Sequence, residues 1–241
     1  ISLILAVHPL VDCLDSHLIS EFALSFSIPL VFDSVESVNE KLPEGKIGGF
    51  GVCEVFSLHK SKLINGLEGG YVTTNDINLF HELKRFQNFS IDSKGGLTNK
   101  YAMNAKLNEG HAAFALASFD QLHALLTHNY SIYQEYLYSE KLVNDKFKIR
   151  RYDNDVKPSY SNIVAEFDEK YIDCLDKLKM ILNAIQITTK MYYFPPLHKK
   201  RVGIIGTIDS KLYNTEFFSN NLLILPSGCH IKKDQILPLI I

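Results

Sequence analysis

The chain has 241 residues, of which 46% are hydrophobic and 22% charged, a composition typical of a folded protein rather than a disordered one. It carries 25 basic and 27 acidic residues, so no basic excess exists to drive sequence-independent binding to nucleic acid. Apolar runs such as residues 3–7 and 222–225 are too short to cross a bilayer. We therefore expect a protein that acts without nucleic acid and without a membrane.

The cysteine pattern excludes two common scaffolds. The four cysteines are Cys13, Cys53, Cys174 and Cys229. They lie far apart, with no Cys-x-x-Cys pair and no histidine at metal-ligand spacing, so neither a disulfide framework nor a zinc ribbon is indicated. We expect free thiols, a cytoplasmic location and no metal site.

The first 33 residues predict a parallel β-α-β unit. Residues 3–7 form a continuous apolar run, the pattern of a strand buried on both faces, and residues 30–32 form a second run. The helix predicted between them has Asp15 or Ser16 as its N-cap and carries apolar residues every four positions, namely Leu14, Leu18, Phe22 and Phe26. Ligands bind at the carboxyl ends of parallel strands, and Asp33 stands at such an end.

The rest of the first part of the chain continues this α/β pattern. Strands are predicted at residues 53–58 and 71–74, followed by a helix that begins after Asn75 or Asp76 and ends near residue 85. A long helix from about Asn108 past Tyr136 bridges this part to the next.

Beyond residue 146 the pattern changes to short strands around one amphipathic helix. Strands are predicted at 149–152, 162–167, 190–194 and 222–225, an amphipathic helix at 168–185 and a short helix at the end. We therefore predict two domains: residues 1–127 with a mainly parallel sheet, and residues 128–241 with the bridging helix and a small antiparallel α+β domain.

The densest group of chemistry-bearing residues lies between positions 55 and 76. Ser57 ends a predicted strand, Lys62 follows in a loop, and the pair Gly69 and Gly70 permits close approach of the backbone. A lysine at the mouth of a sheet can act as a nucleophile towards carbonyl groups, whereas most loop lysines are simply solvated.

Four sequence blocks carry the most specific pattern in the chain. The first is Ser-Leu-His-Lys-Ser-Lys at 57–62, with the following Glu-Gly-Gly and Thr-Asn-Asp. It resembles the Ser-Phe-His-x-x-Lys signature of the DegT/StrS group of nucleotide-sugar aminotransferases, which are fold type I enzymes that use pyridoxal phosphate. The other blocks are residues 104–113, 192–198 and 225–227, which resemble its Asn-x-Lys/Arg-Met-Ser-Glu, Tyr-x-Pro-Leu-His and Leu-Pro-x segments. The four blocks stand in the family's order.

The resemblance implies a role for individual residues. Lys62 takes the position of the lysine that forms a Schiff base with pyridoxal phosphate, and Asp33 that of the carboxylate facing the pyridine nitrogen. Ser57 matches a serine that binds the cofactor phosphate. Asn104 matches an asparagine that reaches the cofactor of the neighbouring subunit, which implies a homodimer with shared sites. His198 matches a histidine at the substrate site.

Each of these roles has a plainer interpretation. Asp33 can cap a turn, Ser57 can bond its own backbone, and Asn104 can cap the long helix. His198 can be a solvated loop residue.

The chain departs from the family at the cofactor carboxylate. The group usually continues Asp-x-Ala-His/Gln, and its fourth residue contacts the cofactor ring. This chain has Glu36 at that position, which adds negative charge beside the cofactor. We expect Glu36 to be a cofactor-binding position or a divergent residue at the pocket rim.

Family members also begin with a segment that holds a phosphate-binding helix N-terminus and an aromatic residue that stacks on the ring. Here Ile1 leads directly into a strand-like run, without a methionine, a basic segment or a cleavage signal. We therefore expect the chain to begin inside an incomplete large domain.

The leading hypothesis is that the chain transaminates a nucleotide-linked keto-sugar, with an amino acid such as glutamate as donor. The related sugar dehydratases fit less well, because they replace the Schiff-base lysine with histidine and this chain keeps Lys62. One alternative is a truncated or degenerate homologue that folds or dimerises without turnover. Another is a generic phosphate-binding α/β domain.

Overall fold

The structure is a computed structural model that describes residues 1–91, 94–143, 147–153, 155–200 and 211–236. The chain forms two compact units. The first comprises Ile1–Ala124 and Tyr152–Ser159, and the second comprises Leu125–Arg151 and Tyr160–Ile241. After entering the second unit, the chain contributes Tyr152–Ser159 to the first unit again, which no sequence pattern indicated.

A four-stranded sheet lies at the centre of the first unit. The strands in chain order are β1 (Ile4–Val7), β2 (Leu30–Asp33), β3 (Lys41–Leu42), β4 (Gly45–Lys46), β5 (Cys53–Ser57) and β6 (Gly70–Thr73). The sheet has the order β1-β2-β5-β6, while β3 and β4 form a separate antiparallel pair. Strands β1, β2 and β5 run parallel and β6 is antiparallel to β5, so the predicted parallel unit is confirmed.

The first helix packs against one face of this sheet. Helix α1 (Ser16–Ser25) begins after Asp15, whose carboxylate accepts a hydrogen bond from the Leu18 backbone nitrogen at 2.8 Å. Its buried residue Ala23 belongs to a cluster with Ala6, Leu30 and Phe32. Three residues of the predicted apolar stripe, Leu18, Phe22 and Phe26, are exposed to solvent rather than packed against the sheet.

The opposite face of the sheet is open to solvent. In β1 the side chains of Leu5 and Val7 are 61% and 54% exposed, while Ala6 between them is buried. Val55 and Val72 are also exposed on this face. The expectation that residues 3–7 are buried on both faces is therefore wrong, because α1 packs against only one of them.

Three helices follow β6, and the third belongs to the second unit from Leu125 onwards. They are α2 (Ile77–Phe86), α3 (Glu109–Asp120) and α4 (Leu122–Glu140). The long helix predicted from Asn108 past Tyr136 is two helices, because the Gln121 nitrogen bonds the Ser118 carbonyl at 3.2 Å and so closes α3 in a tighter turn. Among the described residues, no helix combines the length and apolar character that spanning a membrane requires.

The second unit contains an antiparallel sheet of three strands, as predicted for an α+β domain. These are β7 (Phe147–Ile149), β8 (Ile163–Phe167) and β9 (Leu222–Leu225), in that order. Two helices, α5 (Ile172–Ala184) and α6 (Tyr213–Asn221), accompany short 3-10 turns at Glu169–Tyr171, Leu197–Lys199 and Lys233–Gln235. Tyr136 of α4 is fully buried here and donates its hydroxyl hydrogen to the Pro226 carbonyl at 3.0 Å.

The strand predicted at residues 190–194 does not form. Lys190 makes a single bridge to Ile224, after which the chain turns. Pro195 and Pro196 follow, and proline has no backbone N–H to extend a ladder. Where a short helix was expected at the end, the described residues form the 3-10 turn Lys233–Gln235, and residues 237–241 lie outside the described residues.

A buried carboxylate holds the strand ends of the first unit together. Glu54 of β5 has no exposed surface. One of its oxygens accepts a hydrogen bond from the Ser34 hydroxyl at 2.5 Å, and the other accepts the backbone nitrogens of Gly48 and Phe50 at 2.7 and 2.8 Å. Buried polar groups are costly unless they are paired. Glu54 therefore ties both the turn before β5 and the residue that follows Asp33 to the centre of the sheet.

Replacement of Glu54 by alanine should destabilise the first unit. The Glu54→Ala variant leaves one hydroxyl and two backbone N–H groups without their acceptor, and we expect the free energy of unfolding to fall by about 3 kcal/mol. Urea unfolding measures the change. Glu44→Ala, at an exposed position, is the control and should change it by less than about 0.5 kcal/mol. Equal losses in the two variants would contradict the role given to Glu54.

A second buried polar residue, His8, follows directly after β1. Its side chain is 3% exposed, and its ring stacks on Phe32 with the centroids 5.3 Å apart. Its Nδ1 accepts a hydrogen bond from the Leu14 nitrogen at 3.2 Å, which places the proton on Nε2, and Nε2 has no hydrogen-bond partner among the described residues. Burial lowers the pKa of His8 to about 4, although the carboxylate of Asp33 opposes the shift.

This lowered pKa predicts a loss of stability in mild acid. Between pH 6.5 and pH 4 the unfolded chain protonates His8 and the folded chain does not, so falling pH favours unfolding. We expect the wild-type chain to lose about 2 kcal/mol more unfolding free energy between pH 7 and pH 5 than the His8→Phe variant, which keeps a ring but cannot titrate. Urea unfolding at both pH values tests this. Parallel losses in the two proteins would show that His8 is not buried in its neutral form.

Candidate active site

The carboxyl ends of three strands meet at one edge of the sheet in the first unit. The register aligns Val7 of β1 with Asp33 of β2, and Asp33 with Val55 of β5. Asp33 is half-buried, and its Oδ1 accepts a hydrogen bond from the Val35 nitrogen at 3.2 Å. The structure therefore places Asp33 at a strand end, where its carboxylate also holds the following turn.

Lys62 lies in a loop that its own backbone closes. Beyond β5, the Gly66 nitrogen bonds the Leu58 carbonyl and the Lys60 nitrogen bonds the Leu67 carbonyl, both at 2.9 Å. The fully buried Ile64 anchors the loop in a hydrophobic cluster. Lys62 is thus held by an ordered loop rather than by a solvated one.

The amine of Lys62 forms an ion pair with Glu36. Nζ contacts Oε1, and the two side chains are only 15% and 14% exposed. Glu36 lies in the turn after β2, in which the Ser37 nitrogen bonds the Ser34 carbonyl at 3.0 Å. The structure brings these two predicted site residues into direct contact, so Lys62 is not the solvated lysine of the plainer interpretation.

Ser57 ends β5 at the same edge of the sheet. Its hydroxyl oxygen accepts a hydrogen bond from the His59 nitrogen at 3.2 Å. This contact is the local backbone bond of the plainer interpretation, and the hydroxyl hydrogen is still available to donate to a ligand. Ser57 can therefore fill both roles.

The glycine pair of the motif is required by the backbone. Gly69 has a φ of +118°, and a Cβ on Gly70 would lie 2.6 Å from the Phe56 carbonyl oxygen. A side chain at either position would disturb the return of the chain from the Lys62 loop into β6. The close backbone approach predicted for this pair is confirmed.

Asn104 lies in the first unit, on an exposed segment that pairs with the residues after α2. It forms a backbone bridge with Asn88, and the Ala105 nitrogen bonds the Gln87 carbonyl at 2.9 Å. The cap of α3 is Asn108, whose side chain accepts a hydrogen bond from the His111 nitrogen at 2.9 Å. The interpretation of Asn104 as a helix cap is therefore wrong, and its side chain is available for another contact.

His198 lies in the second unit and is held by a carboxylate. Its Nε2 is 3.2 Å from Oε1 of Glu216, and Lys199 contacts the other oxygen of the same carboxylate. Hydrogen bonds from Lys199 and His198 lower the pKa of Glu216. The His198 side chain is largely buried, so it is not a freely solvated loop residue.

Sequence reasoning missed His8 as a group at the functional edge. It directly follows β1, its backbone nitrogen bonds the Asp33 carbonyl at 3.0 Å, and its Nε2 has no hydrogen-bond partner in the part of the chain that the structure describes. Its position after a predicted strand that ends level with Asp33 was the signal that could have identified it.

The groups at this edge fit pyridoxal phosphate. Lys62 offers an amine for an aldehyde, Asp33 a carboxylate for a protonated ring nitrogen, and Ser57 a hydroxyl for a phosphate. Nothing in the described part of the chain groups three or more histidine, cysteine, aspartate or glutamate side chains as a metal site would require.

The chain is similar over most of its length to proteins of known sequence. Protein Rv3402c of Mycobacterium tuberculosis is 26% identical over 226 residues, which are 90% of this chain and 52% of that protein. The dTDP-4-amino-4,6-dideoxy-D-glucose transaminase of Shigella dysenteriae is 22% identical over 242 residues, which are 96% of this chain and 62% of the relative. The chain thus spans about half to two thirds of the length of these relatives.

Solved structures agree in fold. A crystal structure of DesI in the presence of its TDP-sugar product superposes with a TM-score of 0.89 and 26% identity, and covers 100% of this chain and 61% of DesI. The fold type I architecture predicted from the sequence is confirmed. The sequence profile of the DegT/DnrJ/EryC1/StrS aminotransferases matches residues 2–240, and the chain belongs to this family.

Proposed function

We propose that this chain carries the cofactor lysine of a pyridoxal phosphate-dependent aminotransferase that converts a nucleotide-linked keto-sugar to an amino-sugar. The observation that carries the proposal is the sheltered amine of Lys62, held by an ordered loop in the unit where Asp33 ends the neighbouring strand. Enzymes of this family use pyridoxal phosphate, and a relative in Shigella dysenteriae is named as a sugar-nucleotide transaminase.

Lys62 and Asp33 would share the chemistry. When bound, pyridoxal phosphate supplies an electron sink for the bond that breaks at the amine carbon. Lys62 would hold the cofactor through Nζ, and as a free amine it would move the proton at the reacting carbon. Asp33 keeps the proton on the ring nitrogen through a charged hydrogen bond. These roles use a neutral amine at position 62 and an ionised carboxylate at position 33.

The other predicted site residues would bind and orient the cofactor and the substrate. The Ser57 hydroxyl donates to the cofactor phosphate, and the exposed Asn104 reaches the cofactor of a second subunit in a homodimer. His198, oriented by Glu216, contacts the sugar-nucleotide. Glutamate is the proposed amino donor. The four cysteines are all free thiols, which supports a cytoplasmic location.

One observation favours a second candidate, a homologue that folds or dimerises without turnover. The amine of Lys62 is already engaged by Glu36, a residue that the family pattern replaces with histidine or glutamine. If this ion pair is permanent, the chain does not bind the cofactor covalently. The two candidates differ in whether Lys62 reacts.

Addition of pyridoxal phosphate separates the candidates. For the aminotransferase we expect a visible absorption band that borohydride removes, with the added mass on Lys62 alone after peptide mapping. Lys62→Ala should abolish the band. Lys60→Ala, an exposed lysine two positions earlier in the same loop, should leave it unchanged. A band that survives in the Lys62 variant, or its absence from the wild-type chain, would contradict the proposal.

The Asp33→Asn variant tests the proposed role of Asp33 in keeping the ring nitrogen protonated. It keeps the shape of the side chain but removes its charge, so pyridoxal phosphate should still attach to Lys62. Conversion of the bound cofactor to its amine form by L-glutamate should slow by about 100-fold, because the electron sink is weaker without a protonated ring nitrogen. Stopped-flow absorbance measures this rate. Asp120→Asn, at the exposed end of α3, is the matched control and should convert at the wild-type rate.

A further inference from the structure

The Glu36 side chain meets Lys62 in a sheltered place. Glu36 lies in the turn after β2 and Lys62 in the loop after β5, and neither side chain exposes more than 15% of its surface. Bulk water and salt screen such a pair less than a pair on the open surface. The contact is therefore an interaction that any reaction of Lys62 has to break.

The ion pair and the covalent bond require different forms of the same amine. In the pair, Lys62 is an ammonium, which has three N–H donors and no lone pair. An attack on an aldehyde carbon needs the neutral amine. The same nitrogen cannot be an ammonium paired with Glu36 and a neutral amine that attacks an aldehyde at the same time. Glu36 and an aldehyde are therefore alternative partners of Lys62.

We propose that Glu36 competes with the cofactor for Lys62 and takes up the proton that this lysine must lose when it is captured. This inference rests on the proposed function. The ammonium of Lys62 gives one proton to the Glu36 carboxylate, its nitrogen becomes doubly bonded to the aldehyde carbon, and the other two protons leave with the aldehyde oxygen as water. Once the cofactor has left the site, the proton returns from Glu36 to the free amine and the ion pair forms again.

The charge of Glu36 opposes cofactor capture in a second way. Pyridoxal phosphate carries an anionic phosphate, and a carboxylate beside the site repels it. Both effects favour the uncaptured state of the wild-type chain. A glutamine at position 36 keeps the shape and an acceptor oxygen but has no charge, so it removes both.

The first arm of the test needs no cofactor. A brief pulse of acetic anhydride labels lysines in their neutral form, and peptide mass spectrometry reads Lys62 against the exposed Lys60 as an internal reference. We expect Lys62 labelling to rise about fivefold in Glu36→Gln, the size of effect expected for a contact of this strength. Glu44→Gln makes the same charge change at an exposed turn and should leave Lys62 labelling unchanged.

The second arm titrates the same three proteins with pyridoxal phosphate and traps the product with borohydride. We expect half-maximal attachment to Lys62 at a concentration about fivefold lower in Glu36→Gln than in the wild-type chain and Glu44→Gln. Equal midpoints and equal labelling would overturn the role of Glu36 and leave the proposed function standing. Attachment in none of the proteins would overturn the proposed function, and the labelling arm would still decide whether Glu36 holds the amine.

Folding of the variants is checked by thermal unfolding. If Glu36→Gln does not fold, Glu36→Asp replaces it, because its shorter side chain withdraws the carboxylate from Nζ. Labelling of Lys62 should then also increase, and unchanged labelling in this variant would count against the proposal.

Discussion

The parallel register of β1, β2 and β5 is the constraint on which the rest of the first unit depends. It brings Val7, Asp33 and Val55 level, so that the segments leaving these strands emerge at one edge. Glu54 links this edge to the start of β5, because it binds Ser34, which follows β2, and the turn at Gly48, which precedes β5. A shift of one residue in this register would reverse the face of every side chain that the strands present, and the site would be lost.

The ion pair between Lys62 and Glu36 determines the protonation state of the amine at this edge of the sheet. A sheltered ion pair stabilises both charges, and removal of one partner leaves the other uncompensated. In this pair the Lys62 amine, which we propose as the nucleophile, is an ammonium and does not attack an aldehyde. Family membership therefore does not by itself establish that Lys62 reacts in this chain, because the carboxylate of Glu36 engages its amine.

Local signals in the sequence predicted much of the fold. The Asp15 cap and the apolar runs identified α1, β1 and β2, and β9 was predicted at its observed bounds. The break at Gln121 was missed because no proline or glycine marks it. The contact of Lys62 with Glu36 could not be predicted, because the two residues are 26 positions apart and meet only through the sheet register. The position of His8 after a predicted strand was a signal for its place at this edge, but its burial against Phe32 is a tertiary contact that the sequence did not predict.

The open face of the central sheet has a consequence for the electrostatics of the site. Because paired residues share a face, Asp33 points to the same side as the exposed Val7 and Val55. Water at this face has a high dielectric constant and weakens the field of the carboxylate. Any layer of protein that covers these valines also forms a wall beside Asp33 and strengthens that field. If Asp33 faces the cofactor ring as we propose, the degree to which this apolar surface is covered sets how strongly its carboxylate holds a proton on that ring.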